Sequence, residues 1–177
     1  MIKLVNSLLT VSRIDANKLA VSPVNMFVDD FLIKCVGDIK PKLLDKHQTL
    51  ELLLTPNLPE VTLDQKLVEE ALANLLSNAH KYTPEGGRLW VKAGLDQQNL
   101  VLSITDSGIG IPADDQHRIF DKFFRAKNAQ LSQTDGNGLG LYFVKWVMDQ
   151  HGGKVWFDSK EGIGTTFYLA FPLPAKN

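Results

Sequence analysis

The chain has 177 residues, 44% hydrophobic and 8% aromatic, with 19 Lys+Arg against 20 Asp+Glu. That is the length of one domain, or one domain with an appendage, and the composition excludes disordered, collagen-like and disulfide-scaffold classes. A net charge of -1 gives no bulk pull toward nucleic acid or anionic lipid, and the single cysteine, Cys35, excludes an internal disulfide and a multi-cysteine zinc site.

No apolar run reaches the roughly 18 residues a membrane span needs, and Met1 to Asn6 has no signal-peptide core. Residues 1 to about 19 read as the end of a helix: Leu4, Leu8 and Val11 recur at helical spacing, with Val5 and Leu9 widening the stripe. The stripe starts with no N-cap, so a helix cut mid-length is expected, with a short N-terminal helix packed on its own domain as the alternative. Ser22-Pro23-Val24-Asn25 breaks it. Phe27 to about Lys46 reads as a second helix, with Pro41 as a kink or boundary, and Thr49–Leu54 as a strand. Pro56 and Pro59 mark a loop. Leu63–Tyr82 is the clearest helix, with Asp64 as its cap. Arg88–Leu95 and Leu100–Asp106 read as a hairpin turning at Asp96-Gln97-Gln98-Asn99. A glycine-rich loop, a short helix near Asp114–Phe124, a polar loop over Ala126–Asn137 and a helix over Leu139–His151 follow. Lys154–Ser159 and Thr165–Phe171 close the chain as a strand pair. Helices and strands come in blocks around hairpins, which predicts an α+β fold with helices layered on one face of a mixed sheet.

Four strings carry chemistry. Asn74, Asn78 and Lys81 form a polar stripe on the Leu63–Tyr82 helix, apart from the apolar face of Leu67, Ala71, Leu75 and Ala79. Two amide oxygens one turn apart suit Mg²⁺, which takes oxygen ligands and completes its shell with water and substrate phosphate. A carboxylate about 5 Å from a phosphate charge would instead cost roughly 3 kcal/mol at an effective dielectric of 20. A solvated helix face is the other reading. Asp106-Ser107-Gly108-Ile109-Gly110-Ile111 follows a strand; its carboxylate could accept a hydrogen bond from an exocyclic amine, selecting adenine over guanine, or the string could simply make a turn. Gly136-Asn137-Gly138-Leu139-Gly140-Leu141 opens a helix, where bare N–H groups and the positive dipole end favour an anion, or it is a helix-start turn. It is neither a dinucleotide fingerprint nor a P-loop. Gly162-Ile163-Gly164-Thr165-Thr166-Phe167 reads locally as a hairpin turn.

In this order and spacing the strings resemble the ATP-binding domain of sensor histidine kinases, in the superfamily shared with gyrase, the heat-shock chaperone and mismatch-repair ATPases. Asn74–Tyr82 resembles its N box, Asp106–Gly110 its G1 box, Ile119–Arg125 its F box, Gly136–Leu141 its G2 box and Gly162–Thr165 its last glycine motif. The likeness spans about Val21 to Phe171. It implies a two-layer α/β sandwich, the Bergerat ATP-binding fold, over residues 20–177. Leu4–Leu19 resembles the end of the second helix of the dimerisation and phosphoacceptor domain, so 1–19 is expected to be a remnant of that domain. His47, His80, His117 and His151 all fall within the ATP-binding unit, without the acceptor context.

The resemblance implies ATP and Mg²⁺ as cofactors. Asn78 would be the principal metal ligand and Asn74 the second. Asp106 would hold the adenine amine, with Gly108, Gly110 and Ile111 close to the base and Thr165 supporting Asp106 or a base-bound water. Tyr82 would lie against base or ribose and Lys81 would reach phosphate. Gly136, Gly138, Leu139, Gly140 and Leu141 would form the phosphate loop, and Arg125 would touch the γ-phosphate. Segment 126–137 would be a nucleotide lid, with Phe120 and Phe123 as its anchors or as core aromatics. The superfamily's ATPases place a water-activating glutamate four residues before the metal Asn. Here that residue is Asn74, and Glu70 lies about 12 Å from Asn78 along the helix, so slow hydrolysis is expected. Implied partners are the phosphoacceptor domain and, indirectly, a response regulator, with no nucleic acid and no direct membrane contact. The chain alone would be a monomer that does not label itself, in the cytoplasm, from a parent anchored in the membrane. Alternatives are a non-catalytic nucleotide-binding module and an anti-sigma-factor-type serine kinase.

Overall fold

The structure, a computed structural model, describes residues 2–16, 18–131 and 136–173. Five strands form one mixed sheet: β2 (Thr49–Leu54), β4 (Arg88–Asp96), β5 (Asn99–Asp106), β7 (Gly164–Pro172) and β6 (Lys154–Lys160), in that spatial order. β2 runs parallel to β4, and the other pairings are antiparallel. Alternation decides the faces: Leu89, Val91 and Ala93, then Leu100, Leu102 and Ile104, then Phe167, Leu169 and Phe171 are buried on one side. Helices α2 (Val28–Leu44), α3 (Gln65–Tyr82) and α6 (Gly140–Gln150) bring Leu32, Val36, Leu72, Leu75, Val144 and Val147 into the same core. On the other face Trp156 stacks on Tyr168, ring centroids 5.1 Å apart. The α+β layering and the mixed sheet therefore agree with expectation.

α3 is central, packed between α2 and α6. Its buried Leu67, Val68, Ala71, Leu72, Leu75, Leu76 and Ala79 recur every three or four residues. Asp64 caps it as the sequence predicts: Oδ1 accepts from the N–H groups of Lys66 and Leu67 at 3.1 and 3.0 Å, and Oδ2 from that of Ser22 at 2.7 Å. Burial raises the Asp64 pKa, but the three N–H donors and nearby His151 outweigh it and hold the carboxyl below its usual range. At the other end Lys46 Nζ donates to the carbonyls of His80, Lys81 and Thr83, at 3.2, 2.9 and 3.2 Å. Gln48 Nε2 reaches those of His80 and Thr83 at 3.1 and 2.7 Å. Gln48 Oε1 faces His80 Nδ1 at 2.7 Å, so that nitrogen carries the proton. These contacts satisfy carbonyls that a helix end leaves orphaned.

Several boundaries differ from expectation. Val24–Phe27, where the sequence predicts a break and a helix start, is strand β1. It pairs antiparallel with β3 (Glu60–Leu63) in a separate two-stranded ribbon, so Leu63 belongs to a strand and not to the helix. α2 runs through Pro41 without ending there. The helix expected over Asp114–Phe124 is only α4 (Ala113–Gln116): Phe123 takes a left-handed φ of 63° and donates its N–H to the Gly138 carbonyl at 3.0 Å, which pulls the segment out of helical register. The loop expected over Ala126–Asn137 contains α5 (Lys127–Leu131), whose first N–H is held by Asp115 Oδ2 at 2.7 Å. Residues 132–135 of the expected lid lie outside the described residues.

The N-terminal helix is α1 (Ile2–Asp15). Val11 and Ile14 are buried, whereas Val5, Leu8 and Leu9 are exposed, and the Leu4 side chain lies outside the described residues. The end of α1 reaches across to the F box: Asp15 accepts from Lys122 Nζ at 2.6 and 2.7 Å and from the Tyr142 hydroxyl at 3.3 Å. Burial pushes the Cys35 thiol up to about 12, so it packs as a small neutral side chain. No helix among the described residues is long and apolar enough to cross a membrane.

Replacing Asp64 by Ala is expected to lower the unfolding free energy by about 1–2 kcal/mol in urea titrations at neutral pH. Because its folded pKa is depressed, that contribution is present above the ordinary value of 3.8 and is lost as pH falls through the folded one. The two proteins should therefore converge in acid.

Candidate functional site

A cavity opens between α3, the strand-end turn after β5, the F-box loop, α5 and the start of α6. The amide stripe of α3 supplies Asn74, Asn78 and Lys81, with Tyr82 at its end. Asp106 closes one end beside Ile109, Gly110 and Ile111, with Thr165 and Phe167 from β7. Arg125, Gly136, Gly138, Gly140 and Leu141 line it from the other loops. Asn74 thus meets Gly136, 62 positions further on, and Thr165, 91 positions further on, in one hollow.

Asp106 is the one buried carboxylate among the residues lining it, 9% exposed. Oδ1 accepts from the Gly108 N–H at 2.9 Å, and the Thr165 N–H also donates to the carboxylate. Burial pushes its pKa up to about 6, against the two donors, which lower it. An acid buried with so little compensation is a candidate acceptor for a ligand that brings a donor. Gly108 does not line the cavity. It packs behind the carboxylate, where a Cβ would fall 2.6 Å from both Asp106 Oδ1 and the Tyr82 carbonyl oxygen. Its part is to carry the N–H that orients the acid.

The phosphate-type loop is similarly divided. Gly138 has φ +68°, and a Cβ there would meet the Phe123 carbonyl carbon at 2.5 Å, so only glycine lets this loop lie on the F box. Leu139 does not line the cavity; its side chain is 2% exposed in the core. Asn137 Oδ1 accepts the Leu139 N–H at 3.1 Å, setting the turn into α6. The first N–H groups of α6 then have no carbonyl one turn back, and they sit at the positive end of its dipole. Arg125 lies across the same rim, Nη2 on the Ala129 carbonyl at 2.9 Å and Nη1 near that of Gly136 at 3.4 Å.

The amides of Asn74 and Asn78 suit a hard cation. They are neutral oxygen donors on one rigid helix, both lining the cavity, and among the described residues no group of three His, Cys, Asp or Glu side chains converges to offer another site. Glu70 does not line the cavity.

Some site residues escaped the sequence reading. Ser159 Oγ accepts the Ile111 N–H at 2.8 Å and donates to the Gly164 carbonyl at 3.1 Å, so the Thr165 hydroxyl, 2.8 Å away, is the donor to Ser159. Gln116 Nε2 ties the Ile111 and Ser159 carbonyls at 3.0 and 3.1 Å. Asn128 lines the cavity from α5, and Ile119, Phe124, Ala126 and Ala129 give it apolar walls. Only the three-dimensional return of β6 and α5 onto the turn reveals these; a lone Ser or Asn carries no motif. Phe120 packs edge-on against Phe157 at 6.0 Å as a core aromatic, whereas Phe123 is 60% exposed.

Residues 63–175 match the family model described as histidine kinase-, DNA gyrase B- and HSP90-like ATPase, and the chain belongs to that family. Within it the chain is the catalytic, ATP-binding domain of a two-component sensor histidine kinase. It is 36% identical over 182 residues to the sensor histidine kinase WalK of Bacillus subtilis, covering 99% of this chain and 29% of WalK. Among solved structures, full-length ShkA in complex with AMPPNP superposes with a TM-score of 0.84 at 27% identity, over 98% of this chain and 36% of that one. ThkA, in complex with the response regulator protein TrrA, superposes with a TM-score of 0.76 at 20% identity, over 97% of this chain and 48% of ThkA, a likeness of fold. The chain thus spans under a third of the length of WalK.

The raised Asp106 pKa makes two expectations. Nucleotide affinity, read by calorimetry, should fall as pH drops through about 6, because the acceptor is then protonated; Asp106→Asn should bind more weakly and lack this step, leaving only the titration of the nucleotide's own phosphates. In the empty domain the sign reverses. A raised folded pKa stabilises in acid, so stability attributable to Asp106 is lost as pH rises from about 4 to about 6.

Proposed function

We propose that residues 20–177 hold MgATP in this cavity and deliver its γ-phosphate to a histidine on a dimerisation and phosphoacceptor domain, of which residues 1–19 are the last part. The observation that carries this reading is convergence: two stacked amides, one buried carboxylate and three loop glycines line the same hollow. Asp106 would accept from the adenine amine. Ile111 and Tyr82 would flank the base and sugar. The N–H groups around Gly138, Gly140 and Leu141 would receive the phosphates, with Lys81 beside them. Asn78 and Asn74 would hold Mg²⁺, which when bound neutralises phosphate charge and orients the terminal group. Arg125 would lie against the oxygens on which charge grows during transfer, where a fixed cation lowers the barrier.

The absence of a base supports transfer over hydrolysis. The position one turn before Asn78 is an amide, Asn74, which accepts no proton from water, so the nucleotide waits for a stronger nucleophile, the acceptor imidazole. From there the phosphoryl group would pass to a response regulator, as the chemistry of a labile phosphohistidine permits. The near-neutral charge gives no basis for a nucleic-acid partner. A cytoplasmic setting, where ATP and Mg²⁺ are supplied, follows from the same reading.

Asn78→Ala is expected to weaken nucleotide binding in the presence of Mg²⁺ by roughly tenfold or more. In the absence of the metal the variant and wild type should bind alike, with the melting temperature of the empty domain within about 2 °C of wild type. Loss of folding in this variant would instead make Asn78 structural. Intrinsic hydrolysis should stay well under about 1 s⁻¹, below typical enzyme turnover. Adding a phosphoacceptor domain and labelled ATP should place the label on histidine; label on serine, or none with any acceptor, counts against this reading.

A further inference from the structure

The turn after β5 carries the cavity wall beside Asp106: Ile109, Gly110 and Ile111 all line it. Gly108 and Gly110 make this segment permissive as a chain, so local propensity does not fix its shape. The shape is fixed from outside. Three successive carbonyls are held by donors from three different places: that of Ile109 by the Gly162 N–H at 2.8 Å, that of Gly110 by Asn128 Nδ2 at 2.9 Å and that of Ile111 by Gln116 Nε2 at 3.0 Å. The Ile111 N–H donates in turn to Ser159 Oγ at 2.8 Å. The segment lies directly on the end of β6, since a Cβ on Gly110 would fall against the Lys160 carbonyl.

Gln116 joins the turn to that strand. It is the last residue of α4 and does not line the cavity. Its Nε2 takes the Ile111 carbonyl on the turn and the Ser159 carbonyl on β6, at 3.0 and 3.1 Å, which uses both hydrogens of the amide. Its neighbour Asp115 holds the first N–H of α5, whose Asn128 returns to Gly110, so α4 and α5 are tied to the same turn. Resting on the adenine nucleotide reading above, we infer that Gln116 is a positioning residue for the nucleotide: it touches no ligand and acts through Ile111, keeping the base wall in the place that β6 gives it. A wall that the ligand had to order would lose part of the binding free energy to its own ordering. Gln116 is itself only half-buried, so without it both carbonyls reach water, and the fold is kept while the turn loosens.

The test uses the whole chain with ADP and Mg²⁺ at neutral pH. Gln116→Met keeps the length of the side chain and removes both N–H groups. By calorimetry the variant should bind ADP about fivefold more weakly, the worth of one hydrogen bond, with the same number of sites per chain as wild type. A merely structural residue gives the other pattern, fewer binding-competent chains at unchanged affinity. Amide hydrogen exchange in the empty domain locates the effect: it should quicken over Ile109–Ile111 and stay as in wild type across α3 and the sheet. Unchanged affinity, a lowered site count at unchanged affinity, faster exchange throughout the domain, or failure of the variant to fold each overturns the inference. If wild type itself does not bind ADP, the nucleotide reading fails, and this inference with it.

Discussion

A single helix held at both ends is the constraint on which the site depends. Asp64 takes N–H groups from the first turn of α3 and from Ser22, and the ammonium of Lys46 with the amide of Gln48 takes the carbonyls of the last turn. The helix dipole favours this arrangement of charge, acid at the start and base at the end. Between these clamps the apolar stripe is sunk against the sheet, so the polar stripe has one orientation available. Asn74 and Asn78 face the start of α6 because the other side of α3 is committed to the core. A Cβ on Gly140 would sit 2.9 Å from Asn74 Oδ1, which shows how closely the two elements approach.

The glycines divide the labour in a way their spacing conceals. Gly138 permits contact between two loops, while Gly108 permits contact between a loop and the end of α3 and supplies the N–H that aims the acid. Gly138 also lines the cavity, whereas Gly108 stays behind the carboxylate, although both stand in strings that resemble nucleotide-binding boxes. Leu139 is a similar case: its motif position is fixed by the core beneath the loop. The glycine-rich strings of this chain therefore mix residues that line the cavity with residues that hold the lining in place.

Periodicity made the large elements legible. The α3 stripe, the β4–β5 hairpin and the β6–β7 pair stand within a residue or two of where pattern puts them, since each carries several turns or alternations of signal. β1 and β3 were hidden because four residues give too few alternations and both lie beside prolines. The short helices failed for another reason. Phe123 in a left-handed conformation and the pull of the Gly138 carbonyl are tertiary facts, and they end a stretch that local propensity would continue. In the cavity, residues within glycine- or amide-rich strings could be picked out, whereas Ser159, Gln116 and Asn128 became visible only once distant segments had folded onto the turn after β5.

The grip of Asp15 on Lys122 joins α1 to a loop that reaches the cavity rim at Arg125, three residues further on. Both partners are partly exposed, 48% and 34%, so water screens the pair and it holds weakly. A screened contact of this kind adds little to the cost of shifting the end of α1 against the F-box loop.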